Sequence, residues 1–213
     1  MSFFEAPPPV DPPPFEPVEH KPWWGPPPNE LGVAVPLRAV LARTEELVVA
    51  VLDAVAYTTG LSFRLTAKRR REPHDSFDAW FRDPLGLHER LASGDTLPDD
   101  LLRFGVLFSD GRKATTVGAV ASFGRAGEPS GPVLFQGGGS GGGGEWESSL
   151  WLWPLPPEGP LGLVVEWPSE GIDETRLEVD AQQLLDAGRA SERLWPGDDD
   201  SPGASGSWTR FSV

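Results

Sequence analysis

The residues best suited to chemistry lie in one polar segment, Glu-Pro-His-Asp-Ser-Phe-Asp. It places His74, Asp75 and Asp78 close together, with His88 a little further along the chain. Imidazole and carboxylate groups bind metals and transfer protons, so these four residues are candidates for a metal site or for a metal-dependent hydrolase. The spacing matches neither H-E-x-x-H nor H-x-x-x-H, and such residues are common in polar connections. The pattern therefore favours a non-enzymatic protein, with no cofactor or metal assigned.

The second candidate is a pair of tryptophans, Trp151 and Trp153, in the segment Ser-Leu-Trp-Leu-Trp. In a strand, alternate side chains point to opposite faces, so both indoles lie on one face and the intervening leucines on the other. One of these apolar faces must join the core, and the other needs a separate cover. The cover can come from the same chain, from a partner protein, or from a carbohydrate or other small ligand stacked on the aromatic rings.

Residues 1–30 form a proline-rich arm that can supply this cover. The arm contains eleven prolines, including three Pro-Pro-Pro triplets. Proline fixes φ and removes an amide donor, so the arm is predicted to be extended and to stay out of any central strand. Trp23 and Trp24 are its candidate binding residues. They can dock on the domain, or the arm can occupy the proline-recognition groove of a partner protein.

The elements that must position these residues are mostly strands. Residues 61–68 alternate between apolar and polar side chains, which predicts a half-buried strand with 46–57 as its hairpin partner. Asp110-Gly111 predicts another hairpin, with 112–118 as the returning strand. Alternation also predicts strands at 161–167 and 175–179, followed by a helix that begins at Asp180. The segment 73–100 breaks the β pattern and predicts two short helices.

A run of seven glycines and one serine, residues 137–144, decides the domain count. The strands before and after it each have an apolar face that needs cover, which two packed sheets provide for one another. The run is therefore predicted to be a disordered loop within one domain. The expected organisation is the arm, a single domain over residues 31–195, and a flexible acidic tail over 196–213. The fold class is all-β, an antiparallel two-sheet sandwich of immunoglobulin-like or C2-like form.

Several segments also resemble a family of uncharacterised actinobacterial proteins that has no assigned function. They are VLART, LRFGVLFSDGRKA, WPLPPEGPLGLVVEWPSEGI and ETRLEVDA, and the resemblance runs over roughly residues 31–195. The most specific motif is W-P-L-P-P-x-G-P-L at 153–161. The resemblance implies one continuous domain and carries no catalytic or binding role.

Composition narrows the function further. The formal charge is −14, and an acidic surface is unsuited to phosphate contacts, so no nucleic-acid partner is expected. The chain has no cysteine, so it contains no disulfide. Its longest apolar stretch is interrupted by Asp53, so no membrane association is expected. No secretory signal is evident, which favours a cytoplasmic protein. The leading hypothesis is a protein-interaction module. Carbohydrate or small-ligand binding is the alternative, and the hydrolase at His74 follows.

Overall fold

Antiparallel strands make up most of the chain that the computed structural model describes, which comprises residues 20–70, 85, 97–120 and 128–195. The described residues from Lys21 onwards belong to one compact unit. The strands are β1 Glu30–Leu31, β2 Val33–Arg43, β3 Leu47–Ala56, β4 Leu61–Arg69, β5 Arg103–Leu107, β6 Lys113–Thr115, β7 Val133–Gly142, β8 Glu145–Trp153, β9 Pro160–Trp167, β10 Ile172–Asp180 and β11 Glu192–Arg193. The α-helices are α1 Thr116–Val120 and α2 Ala181–Arg189, and Pro168–Glu170 forms a 3₁₀ turn.

Nine of these strands form two sheets. One has the order β2-β3-β4-β8-β7 and the other the order β10-β9-β5-β6, while β1 and β11 form a separate ribbon. Every pairing among them is antiparallel. The chain therefore crosses between the two sheets after β4, after β6 and after β8.

The core lies where side chains from both sheets meet. Phe63 of β4 and Phe104 of β5 are fully buried, and their rings contact edge to face with centroids 6.4 Å apart. Alternate residues of β4, Leu61 and Leu65, belong to the same cluster as Leu163 of β9. The described chain is thus mostly β, with antiparallel sheets that share one hydrophobic core, as the sequence predicts.

The central hairpin of β3 and β4 is present, as the alternation of apolar and polar residues predicts. β3 pairs with β4 from Leu47–Arg69 to Ala56–Leu61, close to the predicted 46–57 and 61–68. Valine is the commonest residue of β3, and its branched side chain packs well on a pleated surface. Gly60, in the turn, is needed because a Cβ there would lie 2.4 Å from the carbonyl oxygen of Leu152.

The glycine run differs from the prediction. Gly137–Gly142 continue β7 instead of forming a disordered loop, and their register with β8 runs from Gly139–Ser148 to Gly142–Glu145. Gly143 and Gly144 form a two-residue turn with φ of 63° and 85°. Positive φ at both positions is characteristic of a type I′ hairpin turn, which glycine forms at low cost. Cross-strand pairing with β8 outweighs the low strand propensity of glycine here.

Two further elements test the sequence prediction. The helix α2 begins after Asp180 as predicted, and the Asp180 side chain accepts a hydrogen bond of 2.9 Å from the backbone nitrogen of Gln182. The strand predicted at 112–118 is shorter, because β6 ends at Thr115 and α1 follows. Thr116, the first residue of α1, is fully buried, and its hydroxyl accepts from the backbone nitrogen of Phe104 and donates to the Phe104 carbonyl oxygen.

The ribbon of β1 and β11 is held by the carboxylate of Glu30. This group accepts hydrogen bonds from the backbone nitrogen of Thr58 at 3.0 Å and from the Ser191 hydroxyl at 2.8 Å, and it also bonds to the Thr58 hydroxyl. Burial raises the pKa of Glu30, but these hydrogen bonds and the nearby charge of Arg193 outweigh it and lower the pKa below its usual value. The charged carboxylate therefore ties the ribbon to the end of β3.

Several predictions fall outside the described residues. These are the two short helices at 73–100, apart from Leu85 and residues 97–100, the acidic tail over 196–213, and the part of the arm that precedes His20.

Candidate functional site

An aromatic cluster lies on the outer face of the five-stranded sheet, on the side of β8 that faces away from the core. Trp151 is buried there with Val133 and Phe135 of β7. Tyr57 packs against the Trp151 ring with a centroid distance of 5.7 Å. Leu150 and Leu152 belong instead to the main core. The predicted division of β8 into a leucine face and a tryptophan face is confirmed.

The cover for this cluster comes from the described end of the proline-rich arm. The indole Nε1 of Trp151 donates a hydrogen bond of 2.9 Å to the carbonyl oxygen of Pro22. Trp23 contacts Trp153 edge to face, with centroids 5.8 Å apart. Trp151 is only 4% exposed as a result. Its ring is therefore not available to stack on a ligand, whereas Trp153 is partly buried.

Of the four tryptophans predicted to bind, Trp24 is the one with a largely exposed side chain, at 52%. It follows Trp23 directly, and its backbone nitrogen donates to the carbonyl oxygen of Lys21. Trp195, which follows β11 of the ribbon, is 59% exposed. The structure thus separates Trp24 from the cluster that contains Trp23, Trp151 and Trp153.

Beside the aromatic cluster lies a shallow groove of about 640 Å³ on the same sheet face. We call it the outer groove. It crosses β3, β4, β8 and β7, and Ser62 on its floor is the direct cross-strand neighbour of Trp151. Its polar side chains are Asp53, Ser62, Arg64, Glu147, Ser149 and Ser140, and backbone from Gly138 and Gly139 forms one wall.

The outer groove contains one ion pair, Arg64 with Asp53, and one further carboxylate, Glu147. Arg64 forms an ion pair with Asp53, and this hydrogen bond raises the pKa of the Arg64 guanidinium above its usual value. Glu147 lies one row further along β8, where its negative charge also acts on Arg64. The Ser149 hydroxyl donates to the carbonyl oxygen of Gly138 at 3.3 Å. The groove offers both donors and acceptors at its surface.

Residues Gly137–Gly142, which we call the glycine half of β7, form the edge of the sheet beside this groove. Gly137–Gly141 are exposed, and within the described residues no strand pairs with the outer side of β7. A Cβ added at Gly138 would meet no heavy atom within 4 Å. The backbone can be approached there without obstruction from side chains.

His74, Asp75, Asp78 and His88 lie outside the described residues, so the candidate metal and hydrolase site has no geometry to report. Within the part of the chain that is described, no three His, Cys, Asp or Glu residues are grouped so that they could hold a metal ion. None of the helices in that part has the length and apolar character that crossing a bilayer requires.

Sequence reasoning did not identify the outer groove, because its residues come from distant parts of the chain. Asp53 and Arg64 become neighbours only through the β3–β4 register, and Glu147 joins them through β8. One signal was available: Ser62 and Arg64 occupy the polar positions of an alternating strand, which places them on the same outer face.

Comparison of the chain with family models, with curated proteins and with solved structures found no match.

Proposed function

We propose that this protein is a non-enzymatic interaction module of immunoglobulin-like architecture. It binds an extended segment of a partner protein, which adds to the five-stranded sheet along the glycine half of β7. The observation that carries the proposal is that, among the described residues, this sheet edge is exposed and lacks protective features, while the other edges have them.

The order of the strands supports the immunoglobulin-like assignment. In immunoglobulin domains one sheet has the order A-B-E-D and the other contains G-F-C, extended in variable domains by C′. Here β3-β4-β8-β7 follow the first order and β10-β9-β5-β6 the second, with β2 added beside the A position. The chain lacks the disulfide that joins B to F in antibodies. The Phe63–Phe104 contact links the B and C positions at the centre of the core.

Three of the four sheet edges carry features that prevent pairing with another strand. β2 has an exposed proline, Pro36, and two register shifts. β10 carries exposed charges, among them Glu174, Arg176 and Glu178, and β6 has only three residues. Proline, bulges, charges and short length are the usual means by which proteins protect sheet edges.

The edge at β7 has only the register shift between Gln136 and Gly139. From Gly139 to Gly142 the pairing with β8 is regular, and none of these residues carries a charge. Main-chain hydrogen bonds to a sheet edge are the basis of strand addition, and each contributes about 1 kcal/mol net. A glycine edge has no side chains to select among partners, so it accepts extended segments of many sequences.

A peptide selection tests the proposal without a known partner. A random 12-residue displayed library is selected on the full chain and each binder is then measured against two variants. Gly138→Lys places a charge on the edge where there is room for it, and Gly131→Lys makes the same change in open space just before β7. Binding should be lost in the first variant and retained in the second.

The same binders locate the contact by hydrogen exchange. Bound peptide should slow exchange of backbone amides in Gly139–Gly142, because added hydrogen bonds protect them. Binders that tolerate Gly138→Lys and protect another part of the chain would contradict strand addition at β7. Sugar stacking on Trp151 is not favoured as the function, because that ring is covered by Pro22.

A further inference from the structure

The outer groove presents polar side chains in register across three strands. Asp53, Arg64 and Ser149 form one cross-strand row, through the pairs Asp53–Arg64 and Arg64–Ser149. Neighbours within such a row have Cβ atoms about 5 Å apart. Ser62 and Glu147 lie two residues away on the same face of β4 and β8. Five polar groups therefore face one ligand-sized area.

These groups combine donors and acceptors in a way that selects among ligand classes. The guanidinium of Arg64 donates, the carboxylates of Asp53 and Glu147 accept, and serine hydroxyls do both. Arg64 lies beside two carboxylates, and Lys68, whose charge also acts on Glu147, is paired with Glu145, so the local charge opposes a phosphate or carboxylate ligand. A ligand with several neutral hydroxyls satisfies both kinds of group, since each hydroxyl can donate and accept.

We infer that the outer groove is a binding site for a short neutral saccharide, whose hydroxyl groups bond to Asp53, Arg64, Glu147 and Ser149. The volume of about 640 Å³ lies within the range of small-ligand sites, roughly 300–1,000 Å³.

The Arg64–Asp53 ion pair prepares this site. It holds the guanidinium against β3 before any ligand arrives, and the Arg64 side chain remains 52% exposed. Arginine has five N–H donors, so donors remain for ligand hydroxyls. Among the described residues, none donates a hydrogen bond to the carboxylate of Glu147, which therefore accepts from the ligand.

The site is independent of the proposed strand addition. Its charged groups lie on β3, β4 and β8, whereas a partner strand would bond to the far side of β7. Substitution of Arg64 should leave peptide binding at β7 unchanged, so that failure of one proposal does not imply failure of the other.

The test is a titration of the isotopically labelled full chain, in which the NMR chemical shifts of the backbone amides are measured at each ligand concentration. The ligands are a panel of neutral mono- and disaccharides as methyl glycosides, each raised to about 50 mM, far above a millimolar Kd. Saturable shifts are expected at Ser62, Arg64, Ser149 and Gly138 for at least one of them. Arg64→Gln should weaken that binding about tenfold or more, because it removes a hydrogen bond to a charged group.

The matched control is Arg112→Gln. Arg112 forms a similarly exposed ion pair with Asp110 in the turn between β5 and β6, and its loss should leave the titration unchanged. Ser149→Ala is the second variant and removes one hydroxyl from the groove. Absence of saturable shifts with every saccharide would overturn the inference, as would full binding by Arg64→Gln. Binding of amino sugars or simple amines alone would also overturn it, since that points to an ammonium site at Glu147.

Discussion

The indole of Trp151 and the carbonyl of Pro22 are joined by a hydrogen bond of 2.9 Å, although the two residues are 129 positions apart in the sequence. This bond, with the Trp23–Trp153 contact, fixes the end of the proline-rich arm on the outer face of β8. The arm residues Pro22 and Trp23 are thus part of the folded domain.

Substitution by alanine should destabilise the protein at Trp23 much more than at Trp24, although the two residues are adjacent in the arm. Trp23→Ala removes the edge-to-face contact with Trp153 and uncovers the aromatic cluster, so the free energy of unfolding should fall by about 1–3 kcal/mol. Trp24→Ala is the matched control, because that side chain is largely exposed, and its effect should stay within about 0.5 kcal/mol. Urea denaturation measures both. Equal effects of the two substitutions would show that the arm is not docked through Trp23.

The contact between the two sheets should be the most sensitive part of the core. Phe104→Ala removes a buried ring that packs on Phe63, and cavities of this kind cost about 3–5 kcal/mol. Phe104→Leu keeps most of the volume and should cost less. The midpoint of urea unfolding gives both values. A cost for the alanine variant as small as that of a surface substitution would mean that the sheets do not meet at this pair.

The hairpin at the glycine run can be distinguished from a disordered loop. Gly144→Val forces a branched side chain into positive φ and should destabilise the protein by about 1–2 kcal/mol. Gly138→Ala has negative or extended φ and open space around it, so it should be neutral or stabilise slightly. In a disordered loop both changes would be neutral. Thermal unfolding of the two variants therefore decides between the hairpin and the loop.

The Glu30 network should make stability depend on pH in the acid range. Because the folded pKa of Glu30 lies below its usual value of 4.5, the unfolded state binds more protons there, and stability rises with pH. The contribution is fully present above the unfolded pKa and is lost as pH falls through the folded one. Glu30→Gln should flatten this dependence below about pH 5, whereas Glu192→Gln, at an exposed position, should leave it intact. An unchanged profile for Glu30→Gln would refute the role of the carboxylate.

Local patterns in the sequence identified the elements whose side chains alternate or cap. The alternation in β4, the two faces of β8 and the cap at Asp180 depend on neighbouring residues alone, and each is present in the structure. They also supported the general class of antiparallel sheets around one core. Register between distant strands was beyond such patterns.

The glycine half of β7 shows why other parts of the structure could not be predicted from the sequence. Glycine has no side chain to alternate, so a strand of Gly137–Gly142 leaves no periodic signal, and its conformation depends on pairing with β8. The Gly143-Gly144 pair was a usable hairpin signal, hidden within a longer run of the same residue. The outer groove was missed for a related reason, since Asp53, Arg64 and Glu147 meet only through register.

The ribbon of β1 and β11 has a mechanical consequence. Its two strands are antiparallel and pair Glu30 with Arg193 and Leu31 with Glu192, so the chain passes into β2 and returns from α2 at the same place. A force that pulls the two chain ends apart acts on the ribbon as on a zipper and opens its bonds one after another. Tension must also pull Pro22 and Trp23 away from β8, so the docked arm and the ribbon should both yield before the two sheets separate.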